Sequence, residues 1–163
     1  IYYIKPTRTD RYANIPATIY VQLYRNGSFA TGQPLKDSNG NDVVFENSTW
    51  FSLKAGDFNN DGKIDLVAGT ANSAAEIMLN MGLVSDRPTV QLTKLPFNLY
   101  ASDATLSGGM SLKPFPIDWN ADGKTDIVFT SWQGFYWISM NKGINNTFDF
   151  DDPVYLYQKG GVM

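Results

Sequence analysis

The chain contains no cysteine and no histidine among its 163 residues. Disulfide bridges, thiol nucleophiles, zinc sites of the usual Cys/His kind and imidazole acid–base chemistry are therefore excluded within it. The lack of cysteine does not assign a reducing compartment, because a bound cation can take over the stapling role of a disulfide. There is also no run of 18 apolar residues, so no membrane-spanning helix is encoded. Formal charge is only -3 and basic residues do not cluster, which removes the electrostatic footprint of a nucleic-acid binder. No stretch reads as a secretory leader. Long helical periodicities are missing as well. What remains is 43% apolar and 14% aromatic, rich enough to bury a core. It is arranged as short alternating runs between turn residues, so the expected fold class is all-β.

Two stretches repeat one acidic loop. The first runs Asp57-Phe58-Asn59-Asn60-Asp61-Gly62-Lys63-Ile64-Asp65 and the second Asp118-Trp119-Asn120-Ala121-Asp122-Gly123-Lys124-Thr125-Asp126. Each has a side-chain oxygen at loop positions 1, 3, 5 and 9 and a glycine at 6. Asn-Asp-Gly runs are ordinary turn signals, since these residues tolerate left-handed backbone angles. Turn formation does not explain the acids at positions 1 and 9, nor their recurrence. Three carboxylates within nine residues repel one another unless a cation sits among them. Oxygen donors that alternate around a sharp turn suit a hard divalent ion, Ca²⁺ above all.

The expected ligands are the side chains of Asp57, Asn59, Asp61 and Asp65 with the carbonyl of Lys63. In the second loop they are Asp118, Asn120, Asp122 and Asp126 with the carbonyl of Lys124. Both lysine side chains are expected to point outward, away from the ion. An EF-hand is excluded, because position 12 is Ala68 or Phe129 where that motif needs Glu.

Asp57 and Asp118 stand 61 residues apart, and the likeness continues beyond them. Leu66 leads to Ile77-Met78-Leu79 and then Asn80-Met81-Gly82; Ile127 leads to Tyr136 through Met140 and then Asn141-Lys142-Gly143. Each reads as strand, turn, strand, glycine turn. Ile1 to Ile4 and Ile19 to Tyr24 match the same template, with a longer connection between Pro6 and Pro16. Val154 to Tyr157 starts the outer part of another unit. The spacing divides the chain into residues 1–56, a unit cut at its front, 57–117, a whole repeat, and 118–163, a unit cut at its back. The expectation is a fragment of a longer repeat protein.

Gly56 through Val67 resembles the FG-GAP repeat, also called the VCBS repeat, and Ile117 through Val128 resembles it too. That pattern is Asp-x-Asn/Asp-x-Asp-Gly-x-x-Asp, a hydrophobic strand and a later Asn-x-Gly turn. Ala121 departs from it, standing where glycine is usual. The resemblance implies β-propeller-type blades of antiparallel strands, in a partial propeller or a stacked array. It also implies a Ca²⁺ site in each hairpin loop, two in all, as in integrin α-subunit heads and many secreted bacterial proteins.

Other surfaces compete for a role. The aromatic run Ser131 to Trp137 places Phe135 and Trp137 toward a core by strand alternation, leaving Trp132 as the candidate exposed ring. Trp119 is expected to pack as Phe58 does. The segment Pro6 to Pro16 is a candidate binding loop. Asp149, Asp151 and Asp152 lack a partner acid or base, so catalysis is not expected. The sequons at Asn26, Asn47 and Asn145 carry little weight. The function these features predict is a non-catalytic, Ca²⁺-stabilised module of an extracellular or cell-surface protein, serving scaffolding, adhesion or filament assembly. Its partners would be other repeats of the same or neighbouring chains, or a glycan or surface protein, and no nucleic acid or membrane span. A carbohydrate-binding propeller module and the propeller shell of a toxin-complex or Rhs-type protein are the alternatives.

Overall fold

A computed structural model describes residues 2–6 (as backbone), 16–45, 52–69, 75–95, 112–131, 134–144 and 146–156. Among these residues there is no helix, in agreement with the all-β expectation. The first sheet joins β1 (Tyr2–Pro6), β2 (Ala17–Val21), β5 (Gln33–Pro34) and β7 (Val44–Phe45), with β3 (Tyr24–Arg25) and β4 (Ser28–Phe29) forming a separate hairpin. The second sheet contains β8 (Ser52–Gly56), β9 (Asp65–Gly69), β10 (Ala75–Val84) and β11 (Arg87–Lys94) in an antiparallel meander. β6 (Lys36–Asp37) joins this sheet at the β11 edge and runs parallel to it, an exception to the antiparallel pattern. The third sheet is a second meander, β12 (Leu112–Ile117), β13 (Asp126–Ser131), β14 (Tyr136–Ser139) and β15 (Val154–Tyr155). Each acidic loop joins the first two strands of a meander, so each meander begins one strand ahead of its loop.

Alternation along the strands sends neighbouring side chains to opposite faces. On β9, Leu66 and Ala68 pack with Ile19, Val21 and Leu35 of the first segment. Val67 between them packs the other way, with Ile127, Phe129 and Trp137 of the third sheet. β10 follows suit: Met78 joins the first core, and Ala75 and Ile77 join the second. The second sheet is thus covered on both faces, and β9 is buried along its whole length. The described strands form an open stack and do not close into a barrel or propeller.

Two glycines permit the close approach of the second and third sheets. A Cβ on Gly69 would lie 2.1 Å from the carbonyl oxygen of Leu112, and one on Gly56 would touch Pro116 and Thr125 at 3.2 Å. Backbone cannot step aside as a flexible side chain can. Gly69→Ala is therefore expected to destabilise the fold by about 3 kcal/mol, the upper end for overpacking, and Gly56→Ala by clearly less. Chemical denaturation of the two variants checks the order.

Candidate functional site

The two loops are hydrogen-bonded almost identically. Asp57 uses both carboxylate oxygens to accept the amides of Asp61 (3.2 Å) and Gly62 (2.8 Å). Asp118 does the same for Asp122 (3.1 Å) and Gly123 (3.0 Å). Asn59 and Asn120 each accept the amide two residues on, and Asp61 and Asp122 accept those of Lys63 and Lys124 at 2.9 Å. The chain can wind this tightly because two residues per loop take left-handed angles: Asn60 (φ 59°) and Gly62 (φ 81°), then Ala121 (φ 60°) and Gly123 (φ 83°).

The position-9 acids have a different task. Asp65 and Asp126 are 1% and 0% exposed. Asp65 accepts the amides of Phe58 (2.9 Å) and Asn80 (2.8 Å), and Asp126 those of Trp119 (2.9 Å) and Asn141 (2.8 Å). Each therefore clips the start of its loop to the second hairpin strand, Asp65 at Asn80 within β10 and Asp126 at Asn141 just beyond β14. Asn80 and Asn141 return the contact, donating to the carbonyls of Ile64 (3.0 Å) and Thr125 (3.2 Å). Sequence reasoning read these asparagines only as turn residues. Their recurrence 15 residues after each position-9 acid was the available signal. Asn141 does one thing more: its side-chain amide donates to the carbonyl of Phe58 at 2.8 Å, tying the third sheet to the loop of the second.

Electrostatics set the acids apart. Burial pushes the Asp65 carboxyl above its usual range; the nearby charges of Asp61 and Asp57 add to this, against the two amides it accepts. Asp61 is held below the usual range, first by its hydrogen bond to the Lys63 ammonium, and Asp122 first by the Lys124 amide. The lysines correct the expectation of outward side chains. Lys63 Nζ lies 2.7 Å from Asp61 Oδ2, and Lys124 Nζ 3.5 Å from Asp122 Oδ2. With surplus negative charge in the loop, the ammonium folds back onto it. Trp119 is a second correction, being 51% exposed where Phe58 is buried.

The donor chemistry fits a hard cation, since the side chains turned into each loop offer carboxylate and amide oxygens. The ammonium on Asp61 and Asp122 marks where positive charge is already attracted. Among the described residues, however, no three acidic side chains gather as a metal-holding group. The loop acids are engaged by backbone amides instead. A Ca²⁺ bound here would be held by the acids and asparagines at positions 1, 3, 5 and 9, and would supply the charge compensation the ammonium now gives in part. Among the other sequence candidates, Trp137 is buried with Phe135 against it and Tyr136 is 51% exposed. Trp132, the connection 7–15 and the sequon residues Asn47 and Asn145 lie outside the described residues.

Ala121 occupies an angle that L residues other than Asn and Asp seldom adopt. Ala121→Gly is expected to stabilise the protein by about 0.5–1 kcal/mol, a rise of about 2–4 °C in melting temperature. Asn141→Ala leaves the buried Phe58 carbonyl without its partner and should cost about 2–3 kcal/mol. Asn80→Ala, at the less buried and unbridged counterpart, should cost about 1 kcal/mol, which denaturant titration of the pair will check. No protein-family model matches the chain, and neither a curated protein nor a solved structure matches it.

Proposed function

We propose that the chain is a non-catalytic, Ca²⁺-stabilised repeat module of an extracellular or cell-surface protein, serving assembly or adhesion. The observation that carries this reading is the near-identical hydrogen bonding of the two acidic loops, each set at the same corner of a four-stranded meander. A turn needs only its Asn-Gly geometry. Each loop also carries three aspartates within nine residues of chain, buries one of them, and draws an ammonium onto another. That is a site with more negative charge than its own fold requires, and Ca²⁺ suits such oxygen donors because its coordination geometry is adaptable. Millimolar Ca²⁺ outside cells suits a module of modest affinity.

Thermal unfolding with Ca²⁺, with Mg²⁺ and with chelator tests the proposal. Ca²⁺ at a hundredfold excess over Kd stabilises by about 2.7 kcal/mol per site, so the melting temperature should rise by about 10 °C or more, and Mg²⁺ should do much less. Asp61→Ala or Asp122→Ala should remove about half of the Ca²⁺ increment while changing little in chelator. Equal losses in both conditions would reduce the loops to cation-free turns.

A further inference from the structure

Lys54 on β8 and Lys113 on β12 stand apart from the ion pairing of the rest of the chain. Among the described residues, Lys36, Lys63, Lys124 and Lys142 each meet an aspartate. Lys54 and Lys113 meet none, and both are exposed. They line one concavity of about 410 Å³, where the edge strand of the third sheet runs beside that of the second. Phe115 and Tyr136, 55% and 51% exposed, form part of its wall. Its hydroxyls come from Ser52, Thr130 and Tyr136, and no hydrogen bond of the described residues engages them. Among those residues no acid lines it.

We propose that this concavity binds a saccharide carrying a carboxylate or sulfate group. The inference goes beyond the reading above and does not need the cation, because no loop carboxylate lines the cavity. Charge carries it first. Two ammoniums share the cavity without a counter-ion, in a chain whose net charge is -3. Like charges gathered at one site repel unless an anion joins them. The concavity beside the β10–β11 hairpin differs, since its Lys36 is paired with Asp42 and Asp37 lines it beside Arg87. An ammonium is a point charge without the planar fork of arginine, so it accepts sulfate and carboxylate alike. The rings of Phe115 and Tyr136 offer apolar faces to a sugar ring. The unused hydroxyls around them call for a ligand rich in hydroxyls, which separates a saccharide from a flat aromatic acid. The repeat itself does not require these walls. At the 61-residue spacing, Thr130 and Tyr136 correspond to Gly69 and Ala75, so the second meander fills the same places with small residues. The volume also falls within the roughly 300–1,000 Å³ of small-ligand sites.

Isothermal titration calorimetry in chelator tests this with tetragalacturonate and with a sulfated chondroitin tetrasaccharide. At least one should bind about tenfold or more tightly than neutral maltotetraose, inorganic sulfate or adenosine monophosphate, and which one does so distinguishes carboxylate from sulfate. Lys54→Ala and Lys113→Ala, both at exposed positions, should each weaken binding about fivefold, and by less as salt is raised. Lys54→Gln and Lys113→Gln, which keep most of the stem, repeat the test should an alanine variant fail to fold. Tyr136→Ala should weaken it about fivefold as well, through loss of its ring. Arg87→Ala, at the other concavity, should leave it unchanged. Binding of neither acidic saccharide, equal binding of any of the three comparison ligands, or binding indifferent to the lysine substitutions would overturn the proposal. Binding that requires Ca²⁺ would also overturn it, by placing the saccharide on a loop cation. A Ca²⁺-insensitive melting curve would leave it standing and strike only the cation reading.

Discussion

Burial of the β9–β10 pair on both faces is the constraint on which the rest of the structure depends. A strand that shows apolar side chains in both directions is unstable alone and needs a layer on each side. The first segment covers Leu66, Ala68 and Met78; the third sheet covers Val67, Ala75 and Ile77. Each fully buried Val, Leu, Ile or Met side chain contributes about 1.5–3 kcal/mol, whereas a loop hydrogen bond nets about 0.5–1.5 kcal/mol. Hydrophobic contact therefore holds the sheets together, and the loops decide how they are registered.

Registration falls to the position-9 carboxylates. A buried carboxylate needs its oxygens answered by donors, and Asp65 and Asp126 meet that need with one amide from the loop and one from the second hairpin strand. The same bonds that satisfy the charge fix the corner of the meander. The remaining acids sit nearer water and lean on backbone amides and a lysine. Surface ion pairs of that kind are weak and screened by salt, so the lysine is a replaceable occupant of the negative loop. A divalent cation proposed for the loop would compete with it for the same carboxylates, so the fold-back of Lys63 and Lys124 is compatible with the cation proposal.

Much of this was legible in the sequence, for identifiable reasons. The strands after each loop and the hairpins that answer them declared themselves through period-two alternation and glycine turns, and β9, β10, β13 and β14 lie where that pattern puts them. Alternation also gave the inward turn of Trp137 and the outward turn of Tyr136. The strand ahead of each loop was less visible, because Lys54 and the prolines of β12 blur the pattern, and pairing is what identifies it. The parallel addition of β6, two residues long, had no local signal at all; it follows from where a distant segment lands. In the loops, residue types revealed surplus negative charge but not its disposition. Whether an acid faces a cation, an amide or a neighbouring ammonium depends on contacts that spacing alone does not encode.

Trp119 shows how far repeat logic reaches and where it stops. Identical loops with identical internal bonds predict identical burial, and that holds for Asp65 and Asp126, whose partners lie within one sheet. It fails for Phe58 and Trp119, because their surroundings come from the following sheet. Phe58 has Phe150 against its ring and Asn141 on its carbonyl, both from the connection between β14 and β15 of the third sheet. Properties set within one meander are inherited by every copy of the repeat, while properties set between meanders depend on what comes next. The exposed ring of Trp119 is therefore a statement about a neighbour rather than about its own loop.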